Sequence, residues 1–284
     1  MLSEPIFYVF GKGVYMYGLC IAIGLLACIW VFCHFTKKKG MPTGVQNFAL
    51  VVAVAAIALG FVFAKLYQAI YDYIETPSAG FDFAGAGFTA MGGFIGGAAI
   101  FLAAYFGIGH LYFKKKDRVH LKHFNTILRV APICIVIAHA FGRIGCLMSG
   151  CCHGALLSTK EFVVGGIWMR ASDTGIAGFY VPTQLYEALF LFGAFAILTL
   201  LYFKGSNITM QLYLISYGVW RIIIEVFRTD ARGAIVLGLA PSQWQSIIFI
   251  VGGVAMLLIY KLLKKPFVFK DENQNEQGNK EKVI

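Results

Sequence analysis

Arg143 stands in an apolar run that ends in a glycine-spaced cluster of cysteines and a histidine, Gly142-Arg143-Ile144-Gly145-Cys146-Leu147-Met148-Ser149-Gly150-Cys151-Cys152-His153-Gly154. A charge in hydrocarbon persists only with a partner, water or a ligand, so its position marks a functional site by default. His139, Arg143 and Cys146 follow one another at spacings of four and three, which sets them on one helix face. Further on, Gln184 and Glu187 are one turn apart, and Arg221 and Glu225 are four apart and able to pair directly. Arginine is the side chain suited to two-pronged contact with phosphate, so this set points to a bound anion. Cys146, Cys151, Cys152 and His153 offer thiolates and an imidazole that suit zinc or copper. The C-x4-C-C-H spacing matches no common zinc pattern. A redox or acyl-carrying thiol is a further reading. The expectation is the plainest one, small residues ending a helix beside a lipid cavity, with no metal and no cofactor.

Such residues must be positioned by helices in a bilayer. The 284 residues are 59% hydrophobic and 13% charged, against about 25% charged in soluble domains. Seven stretches have the roughly 20 apolar residues a span requires: 14–35, 46–74, 88–113, 124–148, 183–203, 208–227 and 241–263. The expected fold is an all-α polytopic membrane protein. Residues 1–265 form one helical domain with a long outer loop at 149–182, and 266–284 form a polar, disordered cytoplasmic tail. Ile6 to Phe10 is too short for a signal-peptide core, so no cleaved leader is expected.

The net charge of +10 would suit nucleic acid if it were spread evenly. Instead Lys37–Lys39, Lys114–Lys116 with Arg118 and Lys122, Lys204, and Lys261, Lys264 and Lys265 all follow odd-numbered spans. The positive-inside rule therefore places the N-terminus outside and the C-terminus inside. The basic charge answers to the anionic inner leaflet, and no nucleic-acid partner is expected.

Between these anchors, Tyr15 and Tyr17 suit an interfacial aromatic belt. Lys65 shares a face with Gln68 and Asp72, either as a snorkelling lysine paired with Asp72 or as a cation facing a cavity. Gly92-Gly93 and Gly96-Gly97 permit close helix approach or an irregular entry to the third span. Arg129 can snorkel inward. The loop 149–182 reads as a lid or an amphipathic surface element. With the topology set, Tyr17, Lys65, Arg143, Gln184, Glu187, Arg221, Glu225 and Gln243 all fall in the outer halves of their spans. A mutually paired network that fixes helix positions would explain any single pair. The whole set, with its excess of cations, reads better as one polar cavity for an anionic lipid headgroup.

These residues resemble the bacterial prolipoprotein diacylglyceryl transferases. The resemblance rests on Gly142-Arg143-Ile144-Gly145 with Gly150, on Tyr17-Gly18 and on Met91-Gly92-Gly93-Phe94-Ile95-Gly96. It extends through Pro182-Thr183-Gln184-Leu185-Tyr186-Glu187 and the run from Tyr217-Gly218 through Arg221 and Glu225 to Arg228. It covers about residues 14–260. It implies transfer of the diacylglyceryl group of phosphatidylglycerol to the thiol of a lipobox cysteine in a preprolipoprotein signal peptide, at the outer face of the bacterial inner membrane. Arg143 and Arg221 would hold the phosphate, Glu225 would orient Arg221, and Tyr17, Lys65, Gly92, Gly93, Gln184, Glu187, Tyr217 and Gln243 would line the site. Membrane lipids are the remaining partners. The chain departs from the family pattern where Met91 replaces a histidine, Cys146 an asparagine, Cys151 an acid and Lys65 an arginine. His139 or His153 is then the available base. The alternatives are a phospholipid-binding protein of the same fold that has lost catalysis, or a transferase with another acceptor. Clustering at one depth disfavours a transporter.

Overall fold

The computed structural model describes residues 5–228 and 241–263. A short hairpin, β1 (Phe7–Val9) and β2 (Lys12–Val14), turns through Phe10 and Gly11, both at positive φ. The helices are α1 (Met16–Lys38), α2 (Thr43–Glu75), α3 (Ala90–Tyr112), the short α4 (Val119–Lys122), α5 (Phe124–Ser149), α6 (Thr183–Phe203), α7 (Thr209–Glu225) and α8 (Pro241–Leu263). Six of them are long and apolar enough to cross a bilayer. The seventh expected span is α7, which has 17 residues against the roughly 20 that a span requires.

The described chain is mostly helical, as expected, and its strands are short and lie between or before the helices. The 149–182 loop holds an antiparallel sheet of β3 (Leu156–Ser158), β4 (Ile167–Arg170) and β5 (Ala177–Tyr180), in the order β3-β5-β4. Three- and four-residue strands leave too little alternation to be read as strands. The sheet is tied down by Met169, Ala171 and Tyr180, which pack with Leu147 of α5 and Leu185 of α6.

The chain divides into two compact units. Among the described residues the first comprises 5–35, 127–228 and 241–263, and the second 36–126. In the first, Val31 and Phe35 of α1 join Val130, Ile133, Val136, Ile137 and Ala140 of α5, Leu191 and Leu198 of α6, and Tyr213 and Tyr217 of α7 in one core. Helix α8 packs along α7, where a Cβ at Gly218 would meet the Ser246 carbonyl at 2.9 Å and one at Gly253 the Gln211 carbonyl at 3.1 Å. Arg129 does not snorkel. It is buried, donates from Nη2 to the Tyr202 carbonyl at 3.2 Å and lies over the Tyr202 ring. Tyrosine and backbone oxygen within the core hold the guanidinium where water would otherwise be needed.

In the second unit α2 packs against α3 through small residues. A Cβ on Gly93 would lie 3.3 Å from the Ala64 methyl, and one on Gly60 3.1 Å from the Gly93 carbonyl. The glycine pairs thus serve close helix approach, as small residues do where lipid offers no hydrophobic drive. Lys65 donates to the Ala84 carbonyl at 2.8 Å and faces the Phe83 and Phe88 rings, while Asp72 accepts from Gln68 at 2.7 Å. Of the two readings of Lys65, the pairing with Asp72 is therefore not the one seen. A lysine seven residues from its carboxylate is two turns away, and the loop carbonyl lies nearer.

Candidate active site

The C-terminal end of α5 shows how local sequence sets the site. Gly150, at φ +72°, ends the helix; its N–H donates to the Leu147 carbonyl and the Cys151 N–H to the Cys146 carbonyl. This paired 5→2 and 6→1 pattern is a Schellman ending, which turns the chain back over its own last turn. A Cβ at Gly150 would sit 2.1 Å from the Arg170 carbonyl, so the close approach of β4 requires glycine as well. The returning chain is fastened to α6. The Cys151 carbonyl accepts from Gln184 Nε2 at 2.6 Å and the Cys152 carbonyl from Thr183 Oγ1 at 2.7 Å. Gly154 bridges to Arg228 just beyond α7, where a Cβ would lie 2.4 Å from the Phe227 carbonyl. The ends of α5, α6 and α7 that carry the polar residues are thereby gathered together. The start of α1 joins them, because a Cβ at Gly145 would stand 3.0 Å from the Tyr17 ring.

Glu187 is the hub. Its side chain is fully buried, and its Oε1 accepts from Arg143 Nη2 at 3.0 Å and from the Tyr217 hydroxyl at 3.1 Å. His139 Nε2 stands 3.7 Å from the same oxygen, and its ring meets Tyr217 edge to face. The other oxygen, Oε2, has no hydrogen-bond partner among the described residues, and the same holds for Arg143 Nε. One turn along α7 from Tyr217, Arg221 Nη2 pairs with Glu225 Oε2 at 2.8 Å, as the i,i+4 spacing predicts. Arg221 Nη1 is buried without a partner among the described residues. Buried polar groups almost always find partners. Guanidinium N–H groups left open beside a satisfied ion-pair network are donors for an incoming anion.

The other expected residues fall as follows. Tyr17 is partly exposed at the start of α1, within electrostatic reach of Cys146, Cys151, Cys152 and Arg143. Gln184 is buried and commits its amide to the Cys151 carbonyl, so it acts by holding the loop. Gln243 is half-buried in the first turn of α8. Lys65, Gly92 and Gly93 belong to the second unit, in the packing described above. Met91 lies in the first turn of α3.

The two candidate bases are unlike. His153 is buried with Nδ1 2.8 Å from its neighbouring Gly154 carbonyl and Nε2 3.1 Å from Asp173 Oδ1. Partial burial pushes the Asp173 carboxyl up, but hydrogen bonds from His153 and the Thr174 N–H outweigh it and hold the group below its ordinary value. Both His153 nitrogens are thus engaged in holding the loop, whereas His139 sits beside Arg143 and Glu187. Asp173 was not legible as a partner. Its Asp-Thr-Gly run signals a turn, and nothing in the spacing ties it to a residue twenty positions earlier.

The three thiols of Cys146, Cys151 and Cys152 converge, with their Sγ atoms all within 4.8 Å of one another. The Cys152 thiol is held below its ordinary value by hydrogen bonds from Cys146 and Cys151, and further by the Arg228 and Arg143 charges.

Residues 5–259 match the model of the family described as prolipoprotein diacylglyceryl transferase. The chain belongs to that family. Among its relatives, the phosphatidylglycerol–prolipoprotein diacylglyceryl transferase of Clostridium tetani (strain Massachusetts / E88) is 32% identical, over 93% of this chain and 100% of the relative. A second transferase of that name, numbered 2, from Clostridium perfringens (strain 13 / Type A) is 31% identical over 89% of this chain and 94% of its own length. One from Dehalococcoides mccartyi (strain ATCC BAA-2100 / JCM 16839 / KCTC 5957 / BAV1) is 32% identical over 92% and 95%. The helices of this prolipoprotein diacylglyceryl transferase family member make it a multi-pass membrane protein.

Proposed function

We propose that the protein transfers the diacylglyceryl group of phosphatidylglycerol to the thiol of a lipobox cysteine in a preprolipoprotein signal peptide. The reaction runs at the outer face of the bacterial cytoplasmic membrane, which seven helices cross with the N-terminus outside. Residues 1–265 act as one membrane domain and 266–284 as a cytoplasmic tail; that tail lies outside the described residues. The relatives' names supply the donor and the acceptor class.

The observation that carries the reading for this chain is the pair of arginines. Arg143 is anchored on Glu187 and Arg221 on Glu225, each with a buried N–H that has no partner among the described residues. Their carboxylates fix both guanidinium groups before a ligand arrives, so a phosphate would meet preorganised donors. In the transfer, the lipobox sulfur forms a C–S bond to the glyceryl carbon that carries the phosphate ester. The C–O bond to that phosphate breaks, and glycerol phosphate leaves with the bonding electrons. Arg143 and Arg221 stabilise the charge that collects on the departing oxygen. His139 takes the thiol proton, its Nε2 standing 3.7 Å from Glu187 Oε1 beside the arginine. Tyr217 holds Glu187 from the other side, and Tyr17 lines the entrance.

The test is incubation of the detergent-solubilised protein with labelled phosphatidylglycerol and a lipobox peptide. Thioether product is expected from the unaltered chain, and little from Arg143→Gln or His139→Gln. His153→Gln should retain a competent base. Lipid binding without product would favour the reading in which Met91 marks lost catalysis.

A further inference from the structure

The cysteines of the α5 ending are left over by the transfer chemistry, and their arrangement is specific. The Schellman ending makes Cys151 the residue folded back over Cys146, a position at which helices usually place an apolar contact. Here the pair is two thiols. Cys152 adds a third by taking a left-handed backbone, φ +62°, a conformation that is uncommon for a residue with a side chain. The loop carbonyls on either side of this turn are pinned by Thr183 and Gln184, so the three sulfurs are held from two helices. Around a single ion with metal–sulfur bonds of about 2.3 Å, three-coordinate geometry needs sulfurs roughly 4.0 Å apart. The observed separations, all within 4.8 Å, require only a small closure.

We propose that Cys146, Cys151 and Cys152 form a binding site for one thiophilic monovalent cation of the Cu(I) class, held by three thiolates. Soft sulfur ligands select such ions, whereas zinc in structural sites takes four ligands. The neighbouring imidazole does not supply a fourth, because both nitrogens of His153 are taken by Gly154 and Asp173. Three thiolates with one monovalent cation leave two negative charges, and Arg143 and Arg228 lie within electrostatic reach of Cys152 to balance them. The bound ion would join the end of α5 to the loop that α6 holds, three residues from Arg143 and four from Glu187 across the Thr183 contact.

The site is tested on the full chain in detergent, reduced and anaerobic, by titrating Cu(I) against a competing chelator. One ion per chain is expected, with three sulfur neighbours by X-ray absorption at the copper edge and a rise in the unfolding temperature. Cys151→Ser with Cys152→Ser should weaken binding at least about a hundredfold. A Cys28→Ala, Cys134→Ala variant, altered where the Cys134 thiol meets the Cys28 carbonyl at 3.7 Å, should bind as the unaltered chain does. Single Cys152→Ala and Cys151→Ala variants, each expected to show two sulfur neighbours, cover the case in which the double variant fails to fold. No binding, equal binding after loss of Cys151 and Cys152, or a site that prefers Zn(II) under competition would overturn the proposal.

Discussion

Glu187 is the sharpest place to perturb this protein, because one carboxylate oxygen serves Arg143, Tyr217 and His139 at once. At 3.0 Å and an effective dielectric of about 20, the Arg143–Glu187 attraction is roughly 5–6 kcal/mol before desolvation is subtracted. Removing one partner of a buried pair leaves the other charge unpaired, at a cost of about 3–5 kcal/mol. The Tyr217 bond to a charged acceptor adds about 1.5–3 kcal/mol that is lost with the same side chain. Glu187→Ala should therefore destabilise the fold by at least about 3–5 kcal/mol, with Glu187→Gln milder because an acceptor oxygen remains. The informative measurement is a double-mutant cycle with Arg143→Gln, read as unfolding free energy in mixed detergent–dodecyl sulfate micelles. With Arg143 gone there is no orphan charge, so the second substitution should cost less, and the coupling should be about 2–4 kcal/mol. Transfer to a lipobox peptide should fall about a hundredfold in Glu187→Ala, as when a preorganised charge-stabilising donor is lost. Additivity of the two substitutions within about 0.5 kcal/mol would refute the hub, whatever the activity did.

Three other outcomes follow from the same geometry. Arg221→Lys keeps the charge but gives up the fork that spans Glu225 and the ligand, so transfer should drop at least about tenfold with little change in unfolding; an unchanged rate would remove Arg221 from the phosphate. Gly150→Ala should destabilise by well over about 1 kcal/mol, since it combines φ +72° with a 2.1 Å approach to the Arg170 carbonyl; a thermal midpoint equal to that of the unaltered chain would refute the Schellman ending. The Asp173 carboxyl lies below its ordinary value in the folded protein. Its contribution is therefore present above the unfolded value and lost as pH falls through the folded one. Asp173→Asn should unfold more readily than the unaltered chain at neutral pH, with the gap closing below the carboxylate range; a gap independent of pH would contradict the His153–Asp173 contact.

The positions of the helices were legible because each is an apolar run bounded by a charge cluster or a proline, and bilayer thickness sets their length. Pairs set by helical spacing, such as Arg221 with Glu225, were legible for the same reason: period 3.6 is local. What escaped was what the loops decide. Arg143 could be recognised as needing a partner, but the choice of Glu187 on another helix depends on how the 149–182 segment returns from α5 to α6. The strands of that segment are too short to carry a pattern, and Asp173 meets His153 only through their fold. Lys65 took a loop carbonyl instead of Asp72 because the sequence does not say where a glycine-rich loop will pass. The cysteine cluster was visible as composition, but its convergence follows from the left-handed backbone at Gly150 and Cys152, of which only the glycine is signalled by residue type.

The division of the chain gives the order of synthesis a meaning. Residues 36–126 form a unit of their own between α1 and the helices with which α1 shares its core. At roughly 5–20 residues per second, α1 leaves the ribosome some 5–20 s before the first turn of α5 that receives Val31 and Phe35. During that interval Trp30 and the other large apolar side chains of α1 await that core while α2 and α3 are translated. Arg143, Glu187, Tyr217, Arg221 and Glu225 all follow that unit in the chain. The arginines and their carboxylates are therefore translated within one uninterrupted stretch, and each buried charge meets its counterion soon after it enters the bilayer.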